Sequence, residues 1–293
     1  MFPGSSVALV TPMRADGQLD LPAWQRLLDW HLASGTEGVV VGGTTGESTA
    51  LTDAELLALV GAAREQIRGR MALIVGAGTS STATTLERVR GLGSLGVDGL
   101  LVVTPAYVKP TQEGLYRHYA AIAAETRVPL VLYNVPGRTA VDLLPTTVAR
   151  LALLGPVVAI KEALASIDRI RELCALAPAL TVLSGDDATA REAIFAGAKG
   201  VISVTANVAP RAMRSLVDAA RAADHERARS IDETLAGLHS ALFLEPNPIP
   251  VKWALARLGR IDGTLRLPLT TLGAAHHAAV ESALARGGLL AAQ

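Results

Sequence analysis

Short unbroken apolar runs recur along the chain, at Val7–Val10, Gly38–Val41, Leu73–Val75, Leu100–Val103, Leu130–Leu132, Val157–Ile160, Leu180–Leu183 and Val201–Val204. Each run leads through a polar or glycine-rich turn into a longer stretch with apolar residues every three or four positions, the period of a helix lying on a core. Continuous rather than alternating hydrophobicity means that both faces of each strand are covered, as in a parallel sheet wrapped by helices. Eight such units predict a closed (β/α)8 TIM barrel of the α/β class, since an open doubly wound sheet has fewer strands or a switch in connectivity. Helix starts are legible as well. Thr52 and Glu55 have the spacing of a capping box, Ser166 and Asp186 are candidate caps, and Pro145 stands early in a helix where its missing N–H is tolerated. After Ala209 no further strand is expected, and a proline-rich break at Pro246–Pro250 interrupts the helices that follow. The reading divides the chain into residues 1–224, a barrel carrying the active site, and residues 225–293, a C-terminal helical extension.

Composition narrows the functional classes. Lys plus Arg and Asp plus Glu number 27 each, a formal net charge of zero, and no basic face emerges. The densest basic stretch, Arg221–Arg229, is broken by Asp224 and Glu226 and reads as a solvated helix face, so no nucleic-acid partner is expected. The single Cys174 excludes an intramolecular disulfide and a cysteine metal site, and is expected to be a buried structural thiol. The six histidines lack ligand spacing, and Asp186-Asp187 at a helix start is read as capping, so no metal is expected. No basic n-region opens the sequence and no apolar run approaches the roughly 20 residues that span a bilayer, which leads us to expect a cytoplasmic protein without a membrane partner.

Active sites of such barrels lie where strands end and enter the loops to the helices. Strand six delivers Lys161, strand five Tyr133 and strand four Tyr107. A free lysine, with a pKa near 10.4, is only about 0.04% neutral at pH 7, and desolvation can lower that pKa by several units to give a nucleophilic amine. A lone lysine at a strand end more often just reaches solvent. A phenol beside it, however, can pass protons to the carbinolamine hydroxyl that must leave as water. The Gly42–Glu47 loop offers adjacent glycines and threonines whose N–H and hydroxyl groups can converge on a carboxylate. It lacks the spacing of a phosphate-binding loop or a dinucleotide fingerprint, and Gly76-Ala77-Gly78 has no third glycine in register, so no nicotinamide cofactor is expected.

Six segments in one order, GTTGES (43–48), TPAYVKPTQEGLY (104–116), YNVPGRT (133–139), IKEA (160–163), SGDD (184–187) and ISVTANVAPR (202–211), resemble those of the dihydrodipicolinate synthase family, in the pyruvate-dependent Schiff-base lyase superfamily that includes N-acetylneuraminate lyase. The resemblance extends over nearly the whole chain. It implies that Lys161 forms an imine with pyruvate, that Tyr133 donates and accepts protons, and that Thr44 and Tyr107 complete the relay, with Tyr107 supplied across a dimer interface. By the same resemblance Thr45 and the Gly43–Thr45 backbone hold the pyruvate carboxylate, Gly185 and Ile202 line the pocket, and Arg138 holds the carboxylate of the second substrate, L-aspartate 4-semialdehyde. The implied product is 4-hydroxy-tetrahydrodipicolinate, on the route to diaminopimelate and lysine. No cofactor is implied, and a homo-oligomer is, commonly a tetramer built from tight dimers.

Arg138 separates the readings within the superfamily, because a second carboxylate needs a fixed cation and a bidentate guanidinium supplies one. A 2-oxo acid aldolase acting on a sugar-derived aldehyde would keep Lys161 and Tyr133 but give Arg138 no task. A non-catalytic 2-oxo acid sensor would need no proton relay. One departure is expected to matter. Where lysine-inhibited relatives place groups that grip lysine, this chain has Asp53, Leu56, Ser80, Thr84 and Ala106, with only Ser48 retained, which implies little or no lysine feedback.

Overall fold

A computed structural model describes residue 2 and residues 4–290. Eight parallel strands close into a barrel in sequence order: β1 Gly4–Ala8, β2 Gly38–Val41, β3 Ala72–Gly76, β4 Gly99–Val103, β5 Leu130–Asn134, β6 Val157–Glu162, β7 Thr181–Ser184 and β8 Gly200–Ser203. Among the described residues twelve α-helices accompany them: α1 Leu21–Ser34, α2 Asp53–Ile67, α3 Thr82–Gly93, α4 Gln112–Glu125, α5 Pro136–Thr139, α6 Pro145–Leu151, α7 Ile167–Leu176, α8 Ala190–Phe195, α9 Pro210–Arg221, α10 His225–Ala241, α11 Ile249–Arg257 and α12 Ala274–Arg286. The expected TIM barrel with a C-terminal helical extension is therefore present.

The unbroken apolar runs have the predicted cause. Ala8, Val40, Ile74, Leu101, Val131, Ala159, Leu183 and Ile202, one from each strand, fill the barrel interior. Their neighbours Val39, Val41, Val75, Leu100, Val102, Leu132, Ile160 and Val201 pack outward under the helices. Period-two alternation thus serves two cores at once. Between β5 and β6 the pairing slips: Leu130 pairs with Val157, but Val131 pairs with Ala159. The extra residue, Val158, is a bulge that turns Ala159 and then Lys161 to the side of the sheet that Val131 and Tyr133 occupy.

Local chemistry sets the helix starts. Thr52 and Glu55 form the expected capping box, Ser166 accepts from the Arg169 N–H, and Pro145 opens α6. Asp186 instead accepts from the N–H and hydroxyl of Thr189, closing the turn before α8 rather than capping the helix. Asp187 does not cap either; its Oδ2 takes the N–H groups of Val204 and Thr205 and ties the β7 and β8 loops together. Cys174 is half-buried against the main core, and burial raises its thiol pKa. Beyond α9 the extension folds back, α10 lying on α9 and α12, and α11 reaching the turn at Thr205–Asn207 that follows β8.

Candidate active site

Tyr133 and Lys161 are register partners on adjacent strands, so both side chains enter the barrel mouth at one level. The Lys161 Nζ lies 4.4 Å from the centre of the Tyr133 ring. Lys161 is 5% exposed and Tyr133 6%, so both side chains are buried in the mouth. Space for the lysine stem depends on Gly185, after β7: a Cβ there would stand 2.9 Å from the Lys161 Cε. Ile202 closes the same interior cluster from β8.

One residue further along the same two strands, the side chains point the other way and hold the pair in register. Asn134 Nδ2 donates to Glu162 Oε2 at 2.9 Å and to Asp142 Oδ1 at 2.8 Å, while its Oδ1 accepts from the Leu143 N–H. Arg169 pairs with Asp142 at 2.7 Å and stands 3.6 Å from Glu162. Burial raises the Glu162 pKa despite the Asn134 hydrogen bond. Burial also opposes ionisation of Asp142, but the Arg169 and Asn134 hydrogen bonds outweigh it and hold that carboxyl below its usual range.

The loop after β2 faces this pair. Its own bonds run from Gly46 N and Ser48 N to the Gly43 carbonyl and from Glu47 N to the Thr44 carbonyl. Two left-handed residues, Gly42 at φ 64° and Glu47 at φ 56°, make the turn tight. Gly43 and Thr44 line one small cavity together with Tyr133. Thr45 is buried, and its Oγ1 accepts from Asn247 Nδ2 at 2.9 Å. Arg138, on the short α5, is exposed and donates from Nη2 to the Asn247 carbonyl at 3.0 Å. The chain thus brings Lys161, Tyr133, Thr44, Gly43, Gly185 and Ile202 to one mouth, with Thr45 and Arg138 joined through Asn247.

Tyr107 stands apart. It is 91% exposed, in a left-handed conformation at φ 73°, followed by the exposed Val108 and by Lys109 at φ 44°. Its backbone stays tied to the β5 loop, the Tyr107 N–H bonding to the Thr139 carbonyl at 3.4 Å, while its side chain is left in the open.

A family model described as the dihydrodipicolinate synthetase family matches residues 1–286. The chain belongs to that family. A 4-hydroxy-tetrahydrodipicolinate synthase of Teredinibacter turnerae is 51% identical over 291 residues, covering 99% of this chain and 100% of the relative. The structure of a chloride-inhibited dihydrodipicolinate synthase from Acinetobacter baumannii, complexed with pyruvate, is 44% identical with a TM-score of 0.97, covering 99% of this chain and 100% of that one. A dihydrodipicolinate synthase from Thermotoga maritima superposes equally well, with a TM-score of 0.97 at 44% identity over 99% of this chain and 100% of that one. Family membership makes this chain an enzyme of the lyase class, and the resemblance read from the six segments is borne out.

Sequence reasoning missed Asn247 and the buried ion pair between Lys252, on α11, and Glu47. Both fall in or beside the segment read only as a proline-rich break. The available signal was Lys252 itself, a charge flanked by Val251, Ala254 and Leu255 where a buried helix face had to be. Among the described residues no cluster of His, Cys, Asp or Glu has the makings of a metal site, and no helix is long and apolar enough to cross a membrane.

Proposed function

We propose that this enzyme condenses pyruvate with L-aspartate 4-semialdehyde, releasing 4-hydroxy-tetrahydrodipicolinate and water. The observation that carries the reading is the buried Lys161 side chain, its Nζ held 4.4 Å from the centre of the Tyr133 ring. The neutral amine attacks C2 of pyruvate, and the carbinolamine loses its hydroxyl as water, protonated through Tyr133. The resulting iminium withdraws electrons, a methyl proton leaves, and the enamine carbon forms the new C–C bond to the aldehyde carbon, whose oxygen takes up a proton. The substrate's own amine then attacks the imine carbon, closes the ring and expels Lys161. No external cofactor takes part.

In this reading the Gly43–Thr45 segment holds the pyruvate carboxylate and Arg138 takes the carboxylate of the semialdehyde, with Gly185 and Ile202 shaping the pocket. Thr44 and Tyr133 form the near part of the proton relay. Tyr107 completes it in a neighbouring subunit, and its exposure beside Val108 supports a homo-oligomer built from tight dimers. Lysine feedback is weak or absent. Asp53 is occupied by Arg88 at 2.7 Å and Leu56 is buried against the β2 loop, which leaves few groups to grip an amino acid.

The deciding experiment follows turnover through a downstream reductase and traps the imine with borohydride. The parent should turn over and gain the mass of reduced pyruvate, and Lys161→Ala should do neither while remaining folded. Trapping without turnover on the semialdehyde, but with turnover on sugar-derived aldehydes, would replace the second substrate. Stabilisation by pyruvate with no trapping at all would make the chain a sensor.

A further inference from the structure

We infer that the C-terminal segment from Asn247 to Arg266 positions the β2 loop for its carboxylate, acting through Asn247 on Thr45 and through the Lys252–Glu47 ion pair. The inference rests on the proposed role of Gly43–Thr45 and adds residues that touch no substrate.

The loop is anchored at three consecutive residues. Asn247 Nδ2 donates to Thr45 Oγ1 at 2.9 Å, which occupies an acceptor site of that hydroxyl and leaves its proton available to a ligand carboxylate. The Thr11 hydroxyl donates to the Gly46 carbonyl at 2.7 Å. Glu47 receives Lys252 Nζ at 2.6 Å on one oxygen and the Arg266 N–H at 3.1 Å on the other. Lys252 Nζ also donates to the Thr11 carbonyl at 2.9 Å, so one ammonium links α11, the loop after β1 and the β2 loop. The Arg266 side chain completes the brace by donating to the Gly17 and Ala50 carbonyls and pairing with Glu55.

Two features mark this as a positioning device rather than ordinary packing. The ion pair is wholly buried, with side-chain exposures of 0% for Lys252 and 1% for Glu47. Such a pair is at best a modest source of stability, because desolvation offsets its attraction, whereas apolar groups of equal volume stabilise as well or better. What it does supply is direction. Glu47 is held in a left-handed conformation that a non-glycine residue avoids without partners to fix it. That residue stands two positions beyond the Gly43–Thr45 segment and its N–H bonds to the Thr44 carbonyl at 3.1 Å, so fixing Glu47 fixes the peptide that carries the Thr45 N–H.

The test separates positioning from stability. Pyruvate titrations of turnover and of borohydride trapping are run on the full chain as parent, Lys252→Met, Glu47→Gln, the neutral pair Glu47→Gln/Lys252→Met, and Asn247→Ala, beside thermal unfolding. Each single ion-pair variant strands a buried polar partner and lowers Tm, whereas the neutral pair regains most of the loss. In the neutral pair and in Asn247→Ala the pyruvate concentration at half-maximal trapping rises about tenfold, with kcat changed less than about threefold, the signature of lost ground-state binding. Parental half-saturation in both would overturn the inference, as would a fall in kcat at unchanged half-saturation. Should the neutral pair fail to fold, Asn247→Ala decides alone by the same criterion. A parent chain that traps no pyruvate refutes the proposed function itself, before any variant is compared.

Discussion

Lys161 and Lys252 are two buried lysines in different surroundings. Lys252 sits 2.6 Å from a carboxylate and donates to a carbonyl, so although burial lowers its pKa the Glu47 charge pulls it back toward the protonated form. Lys161 faces an aromatic ring and the space opened by Gly185. That contrast predicts a borohydride adduct on Lys161 alone, located by peptide mass mapping. Gly185→Ala should slow imine formation by at least tenfold, about 1.4 kcal/mol, because the added methyl must displace the lysine stem; single-turnover trapping checks this, and a parental rate would show that the stem has room to move. Arg138→Ala should leave the pyruvate adduct intact yet lower kcat/KM for the semialdehyde roughly 30- to 100-fold, from about 2–3 kcal/mol of lost charge-assisted hydrogen bonding. Lys161, Tyr133 and the β2 loop were legible in the sequence because reactive residue types stood at strand ends. Asn247 was not, since it reaches Thr45 from about 200 residues away and through a contact that no local pattern encodes.

At the scale of elements, the strands were readable because each buries both faces, and their limits were readable only in part. β1 was expected at Val7–Val10 but occupies Gly4–Ala8, since Ser5 and Ser6 are hidden inside the sheet. Beyond its end the Val10 N–H bonds to the Asn207 side chain rather than to a neighbouring strand. The bulge at Val158 left no trace in the apolar run, although it decides which way Lys161 points. The outward ladder behind Lys161 and Tyr133 gives this scale its prediction. Asn134→Ala removes the donor shared by Glu162 and Asp142 and should cost roughly 1–3 kcal/mol in urea unfolding, together with a fall in kcat as β5 and β6 lose their lock. Thr52→Ala, which opens the α2 capping box, should cost about 1 kcal/mol and leave kcat alone. Equal effects of the two on kcat would remove the ladder from the site's support.

For the whole molecule, burial of neutral histidines sets an acid limit. Burial lowers the pKa of His31 from 6.5 to about 3 and that of His118 from 6.5 to about 4. A lowered folded pKa means the unfolded chain binds the proton first, so this contribution to stability is complete above pH 6.5 and is lost progressively toward pH 3. Tm should therefore fall steadily on acidification below that point, and His31→Gln should flatten the slope; an unchanged slope would place the acid sensitivity elsewhere. Assembly provides the second test at this scale. If Tyr107 serves a neighbouring barrel, Tyr107→Phe should keep the pyruvate adduct but lose most turnover, and mixtures with Lys161→Ala subunits should recover activity as subunits exchange.

Closure of the barrel also orders events in time. β1 pairs with β8, Gly4 beside Gly200, so the first strand made waits for the last. At 5–20 residues per second a ribosome needs roughly 10–40 s to span that interval, during which β1 keeps an open edge that only a completed β8 can cover. Lys252 and Asn247 emerge later still. The strand that closes the sheet is thus available before the residues that brace the β2 loop exist, and a product truncated between β8 and α11 would lack both Asn247 and Lys252.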